Sequence, residues 1–234
     1  MDKIPEWLYD EVKTFGTDYS QVQEAAAYEQ RSRSQDRDAV NDFILNYLDL
    51  DDSKVVLDFG AGFGSFAMAA AARCKKVIAV DISPAMTDLA AKLAREIGLT
   101  NIEFHTAGFL TYEHASTPLD GVVCCGALHH LPDFWKQVAV NRMYAMLKPG
   151  GKMHFEDHVL SFEVNQYPQV LDDLIERNKG SVDANGRNIM AVLMRDEFPT
   201  CDWIMEGMIE RAGFTIVNKK YGKTGFRGFY QCLK

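Results

Sequence analysis

From Lys54 to Asp157 short apolar runs alternate with longer helical stretches, and this alternation leaves very few folds open to the chain. VVLDF is followed by a glycine turn and the alanine-rich SFAMAAAARC. VIAVD is followed by SPAMTDLAAKLAREIG, with Ser83 as N-cap and Pro84 at the first helical position. IEFHT, an irregular stretch, GVVCC, a turn and FWKQVAVNRMYAML continue the series; LKPGG reads as a turn and KMHFED as a further strand. Repeated strand–helix–strand units imply crossover connections and a parallel sheet covered on both faces. The expected class is α/β: a doubly wound, mostly parallel, seven-stranded sheet with an antiparallel last strand, a helical N-terminal segment and an inserted lid.

The flanking segments read differently. Residues 1–50 form a helical cap, with Val22, Ala25 and Ala26 on one apolar face and Val40, Phe43, Ile44, Tyr47 and Leu48 on another. The polar EQRSRSQDRD between them reads as a connector. Residues 51–159 read as the doubly wound core. Residues 160–200 lack a clear strand and contain the turn-like NKGSVDANGRN, which suits a helical insertion with a loop over the carboxyl edge of the sheet. That insertion carries Tyr167, Asn185, Arg187, Asn188, Met190, Met194 and Arg195, and either covers a substrate or forms a dimer contact. Residues 201–234 complete the core with the helix WIMEGMIERAG, stopped by Gly213, and the strands FTIVNKKYG and GFRGFYQCLK.

The net charge of -8 disfavours a nucleic-acid partner, which calls for a basic stripe. None of the five cysteines forms a CxxC pair, which argues against a zinc site, and their odd number suits a reducing compartment; no metal is assigned. The polar, acidic N-terminus has no signal-peptide core, and no apolar segment approaches the roughly 20 residues of a membrane helix. The expectation is a soluble cytoplasmic protein, monomer or homodimer, with a small-molecule substrate and neither nucleic acid nor membrane as partner.

The chemistry concentrates at VVLDFGAGFGSF. In an open parallel sheet, ligands bind outside the carboxyl ends of the strands at the switch in strand order, so the first strand–helix turn is the place to look. Gly60 and Gly62, with Ala61 between them, let a ligand approach the backbone. A dinucleotide fingerprint would place its last glycine at position 65, which is Ser65. Asp58, heading the turn, repels a pyrophosphate and favours a cation. S-adenosylmethionine carries a sulfonium and an ammonium and no phosphate.

DFGAGFG, VIAVDIS, GVVCCGALHHL and MLKPGGKMHF, in this order, resemble the class I S-adenosylmethionine-dependent methyltransferases. The small-molecule branch, similar to the ubiquinone and menaquinone biosynthesis methyltransferases, is the nearest in character. The resemblance implies S-adenosylmethionine as cofactor and Asp81 as the acid on both ribose hydroxyls. The acid the family commonly has after the third strand is replaced by Gly108, so adenine would rest on backbone around Gly108 and Phe109, with Ile82 and Met86 on its faces; Met86 equally suits helix-core packing. Tyr28 and Arg33 lie where relatives place an aromatic and a basic residue over the cofactor, and Arg33 would pair with its carboxylate. Cys125 would lend its backbone.

Methyl transfer needs alignment first, and a general base only for an acceptor that holds its proton. His129 and His130 follow the fourth strand; His130 is the candidate base, the LHHL turn otherwise being a structural corner. Glu156, Asp157 and His158 end the fifth strand, where Asp157 and His158 are candidate catalytic groups; such a set could also ligate a divalent metal, as in the metal-dependent O-methyltransferases, or simply face solvent. A protein or RNA methyltransferase is the runner-up, disfavoured by the acidic charge and the lack of an NPPY-type motif. A non-catalytic S-adenosylmethionine-binding protein and a nicotinamide oxidoreductase are further alternatives.

Overall fold

The computed structural model of the protein describes residues 5–13, 16–33, 37–183 and 185–234, and of Arg33 the backbone alone. The elements in chain order are α1 (Val22–Arg33), α2 (Arg37–Leu48), β1 (Val55–Phe59), α3 (Ser65–Ala71), β2 (Lys76–Asp81), α4 (Pro84–Glu96), β3 (Ile102–Thr106) and β4 (Leu119–Cys125). There follow α5 (Asp133–Met146), β5 (Leu147–Asp157), β6 (Val159–Leu160), α6 (Tyr167–Arg177), α7 (Ile189–Asp196), β7 (Thr200–Cys201), α8 (Asp202–Arg211), β8 (Thr215–Tyr221) and β9 (Gly228–Leu233).

Seven strands form one sheet in the order β3-β2-β1-β4-β5-β9-β8. The five from β3 to β5 are parallel neighbours, and β9 runs antiparallel to both β5 and β8. The order reverses between β1 and β4, so the carboxyl ends of these two strands frame the switch-point crevice.

Strand alternation sends side chains to two apolar layers. Leu57, Phe59, Ile78, Val80, Val122, Cys124, Met153 and Phe155 meet α5 and α8 residues such as Val140, Met143, Met205 and Ile209. Val56, Val77, Ala79 and Val123 meet Ile44, Leu45 and Leu48 of α2 and Phe66, Ala67 and Ala70 of α3. Full burial of each large side chain stabilises the fold by roughly 1.5–3 kcal/mol. The adjacent thiols of Cys124 and Cys125 fall on opposite faces, as alternation requires.

The structure departs from expectation in five places. Described residues before Val22 are turns and bends rather than helix. The helix α1 runs through Arg33, so most of the expected connector is helical; its charged residues are good helix formers, and Arg31 reaches Glu24 at 2.6 Å. Val22 is 75% exposed and Ala25 only 2%, so the apolar face proposed for α1 is not the buried one. The LKPGG segment belongs to β5, which starts with an irregular register against β4. Residues 160–200 are bounded by two short strands, β6 and β7, which pair in parallel; two-residue strands carry no readable period.

Candidate active site

The turn after β1 has all three glycines at positive φ: Gly60 at 75°, Gly62 at 53° and Gly64 at 81°. Its backbone is held from β2: the Gly60 and Ala61 amides donate to the Val80 carbonyl at 2.8 and 3.0 Å. Asp81 completes the clamp, accepting from the Gly62 amide at 2.8 Å and from the Ser83 amide at 2.9 Å. One carboxylate therefore ties the glycine turn to the start of α4, where Ser83 caps the helix by accepting from the Met86 amide at 3.2 Å. Met86 is buried and Ile82 half-buried.

A side chain at Gly60 would run into Ala127, whereas one at Gly98, with a similar φ of 77°, would meet nothing within 4 Å. Gly98→Ala is expected to cost about 1 kcal/mol, from left-handed strain alone. Gly60→Ala adds the collision, and chemical denaturation should show it to be the more damaging by at least about 1 kcal/mol.

Asp58 stands under this turn, 4% exposed. Its Oδ2 is buried and has no hydrogen-bond partner among the described residues. Burial, reinforced by the nearby Asp81 charge and opposed by the Ala67 amide, pushes its carboxyl up to about 7. An orphaned, partly protonated carboxyl is costly unless a cation or donor meets it.

The N-terminal residues close over this edge. The Ser83 hydroxyl donates to the Tyr19 carbonyl at 2.7 Å. Tyr28 stacks edge-on to Tyr19 and Phe63, with centroids 5.3 and 5.9 Å apart, above Gly62. The Arg33 side chain lies outside the described residues. Glu11, which sequence reasoning missed, reaches the turn after β3 and accepts from the Leu110 amide at 2.9 Å. Burial pushes this carboxyl up to about 7, against the pull of the Leu110 and Phe109 amides. Within the turn the Gly108 amide donates to Thr111 Oγ1 at 2.8 Å, and from α5 Arg142 Nε donates to the Phe109 carbonyl at 2.9 Å.

Beyond β4 and β5 lies a buried charge cluster. His129 Nδ1 is 2.5 Å from Asp157 Oδ1, and its Nε2 is 3.2 Å from Glu197 Oε2. Burial alone would lower this imidazole, but the two carboxylates raise it to about 9, so both nitrogens donate. Asp157, despite its burial, is held well below the usual carboxylate range by the His129 charge, and also accepts from the His129 and His158 amides at 3.0 and 2.7 Å. His130 and His158 stay neutral, pushed down by burial and then by the His129 charge. His130 Nδ1 is 4.0 Å from Glu197 Oε1, with the His130 side chain 39% exposed, while His158 packs inward on Phe226, centroids 5.2 Å apart.

The predicted catalytic residues therefore converge, but the two central groups, His129 and Glu197, were not among them. Glu197 also binds the N-terminal segment through the Thr17 amide at 3.3 Å. A cleft of 360 Å³ opens beside Glu197, between Pro132, Leu160, Met194 and Phe198. A second cleft, of 270 Å³, is lined by Glu113, His114 and Arg142 and contains none of these groups.

Residues 56–151 match the family model described as a methyltransferase domain. The chain is 29% identical over 173 residues to an uncharacterized methyltransferase of Anoxybacillus flavithermus, the match covering 74% of this chain and 75% of that one. The cyclopropane synthase MmaA2 of Mycobacterium tuberculosis shares the fold with a TM-score of 0.66 at 14% identity, over 84% of this chain and 83% of that one. The magnesium protoporphyrin IX methyltransferase of Synechocystis, solved with bound S-adenosylhomocysteine, superposes with a TM-score of 0.59 at 16% identity, over 91% and 85%.

Proposed function

We propose that this chain, whose residues 56–151 match the methyltransferase-domain model, transfers a methyl group from S-adenosylmethionine to a small-molecule acceptor and releases S-adenosylhomocysteine. The observation that carries the reading is the orphaned Oδ2 of Asp58 beneath a turn of three positive-φ glycines. This carboxyl fits a cationic ligand and would oppose an anionic one. When bound, the sulfonium supplies an activated methyl carbon. The protein's share is then to hold, align and exclude water.

In this reading Asp58 faces the ammonium end of the cofactor and Asp81 accepts from the ribose hydroxyls with the lone pairs its two backbone donors leave. Tyr28 covers the turn, and Arg33 serves the cofactor carboxylate. Ile82, Met86 and the Gly108–Phe109 backbone border the adenine, with Glu11 bringing a carboxyl to that edge. Cys125 contributes its backbone at the end of β4. His130 is partly exposed beside Glu197, whose carboxylate offsets the charge the imidazole gains on taking a proton from the acceptor. Asp157 is a positioning residue that holds the His129 cation, and His158 packs behind it. The segment 160–200 forms one wall of the 360 Å³ cleft, a volume that suits a small molecule. Among the described residues no helix is long and apolar enough to cross a membrane.

The test follows from the Asp58 titration. Affinity for S-adenosylmethionine, measured by calorimetry, is expected to rise up to about tenfold per pH unit as pH increases toward 7, because the cation needs the ionised form. In Asp58→Asn the affinity should be weaker and flat in this range. An equal slope in both proteins would remove Asp58 as the cation's partner. Incubation with labelled methyl donor and a cell extract should label the small-molecule fraction; label confined to protein or RNA would overturn the acceptor class.

A further inference from the structure

His154 lies mid-way along β5, 0% exposed, and neither of its ring nitrogens has a hydrogen-bond partner among the described residues. An imidazole buried this way leaves at least one lone pair facing protein without compensation. Its neighbours explain what that lone pair can do. In the parallel register Val123 stands opposite His154 and Cys125 opposite Glu156, so Cys125, His154 and Glu156 project from the same face of two adjacent strands. The Cys125 Sγ, a His154 ring nitrogen and a Glu156 carboxylate oxygen lie within 4.8 Å of one another.

We propose that Cys125, His154 and Glu156 form a binding site for a divalent metal ion of the zinc type, separate from the His129 cluster. The donor set is one thiolate, one imidazole and one carboxylate, which selects a borderline-soft ion over magnesium or calcium. Bond lengths of about 2.0–2.3 Å place tetrahedral donors about 3.5 Å apart. Small side-chain rotations close the observed triangle on an ion and leave the fourth position open. Among the described residues no protein donor competes for the lone pair of the His154 ring. The Cys125 sulfur binds as thiolate, so its proton passes to solvent as the sulfur–metal bond forms. The Phe43 ring, its centroid 6.0 Å from that of His154, closes the apolar side.

Arg227 is the competing cation: its Nε donates to Glu156 Oε1 at 2.5 Å. The ion therefore takes the carboxylate in part from a guanidinium, which moderates affinity and leaves Cys125 and His154 as the principal ligands. Cys125 is partly exposed, giving the ion a way in from the rim of β4. The proposal does not depend on methyl transfer, because the ligands are side chains, whereas Cys125 serves the cofactor only through its backbone.

Cobalt(II) titration of the reduced full chain tests it. One equivalent is expected, with a thiolate-to-cobalt charge-transfer band in the near ultraviolet, and zinc should displace it. Cys125→Ser should abolish the band while leaving the circular dichroism unchanged, and Cys201→Ser should keep it. His154→Asn should weaken cobalt binding at least about tenfold. Absence of the band in the wild-type protein, or a band of full intensity in Cys125→Ser, would overturn the site.

Discussion

Replacing Asp81 by alanine is expected to weaken S-adenosylhomocysteine binding at least about 100-fold, because both ribose hydroxyls lose a charged acceptor at once and the glycine turn loses its tie. The Gly62 and Ser83 amides, at 2.8 and 2.9 Å, lose their acceptor together. Each such bond is worth roughly 1.5–3 kcal/mol. Part of the loss falls on the fold, since Asp81 ties the glycine turn to α4, and part on the ligand, whose ribose loses its acceptor. Asp81→Asn, which keeps one acceptor oxygen, should lose less. Calorimetry with the demethylated product separates binding from turnover. A dissociation constant within about threefold of the wild type in Asp81→Ala would show that the ligand does not touch this strand end.

The second large effect is expected at Asp157. His129 is a buried cation between two carboxylates, and removing one of them leaves its charge half-compensated. Asp157→Ala should cost about 3–5 kcal/mol of stability, the usual consequence of breaking a buried pair. Denaturant titration measures it, and a cost below about 1 kcal/mol would mean that His129 is not charged.

The pH dependence has a definite sign. The folded-state pKa of His129, about 9, lies above its ordinary value, so its contribution is complete below about pH 6.5 and disappears as pH rises through about 9. The integrated loss is roughly 3 kcal/mol. Asp157 and Glu197 are depressed, so their contributions are present above the ordinary carboxylate range and are lost as pH falls. Stability should therefore be greatest in mildly acidic solution. Glu197, which loses its His129 cation on the alkaline side, also holds Thr17, so the protection of amides near residues 16–19, taken relative to intrinsic exchange at each pH, should fall before global unfolding.

The glycine turn could be read directly from the chain. Positive φ at Gly60, Gly62 and Gly64 is a local demand that only glycine meets without strain, and three glycines at that spacing announce it. The Ser83–Pro84 helix start was legible for the same reason, since a cap and its helix are neighbours in sequence. The α1 face was misread because helical period marks an amphipathic stripe without saying which side meets the protein; Glu24 and Ala25 are buried there while Val22 points outward.

Sequence alone settled the strand–helix series from β1 to β5, the parallel sheet and the place of its crevice, because apolar period and turn chemistry act over a few residues. Tertiary structure decided the charges. Glu11 meets Leu110 across 99 residues of chain. Glu197, from the insertion, meets His129, and Asp58 loses its water to the layers around it. Desolvation and the approach of distant carboxylates determine which of these groups hold a proton, and neither is encoded in any local spacing.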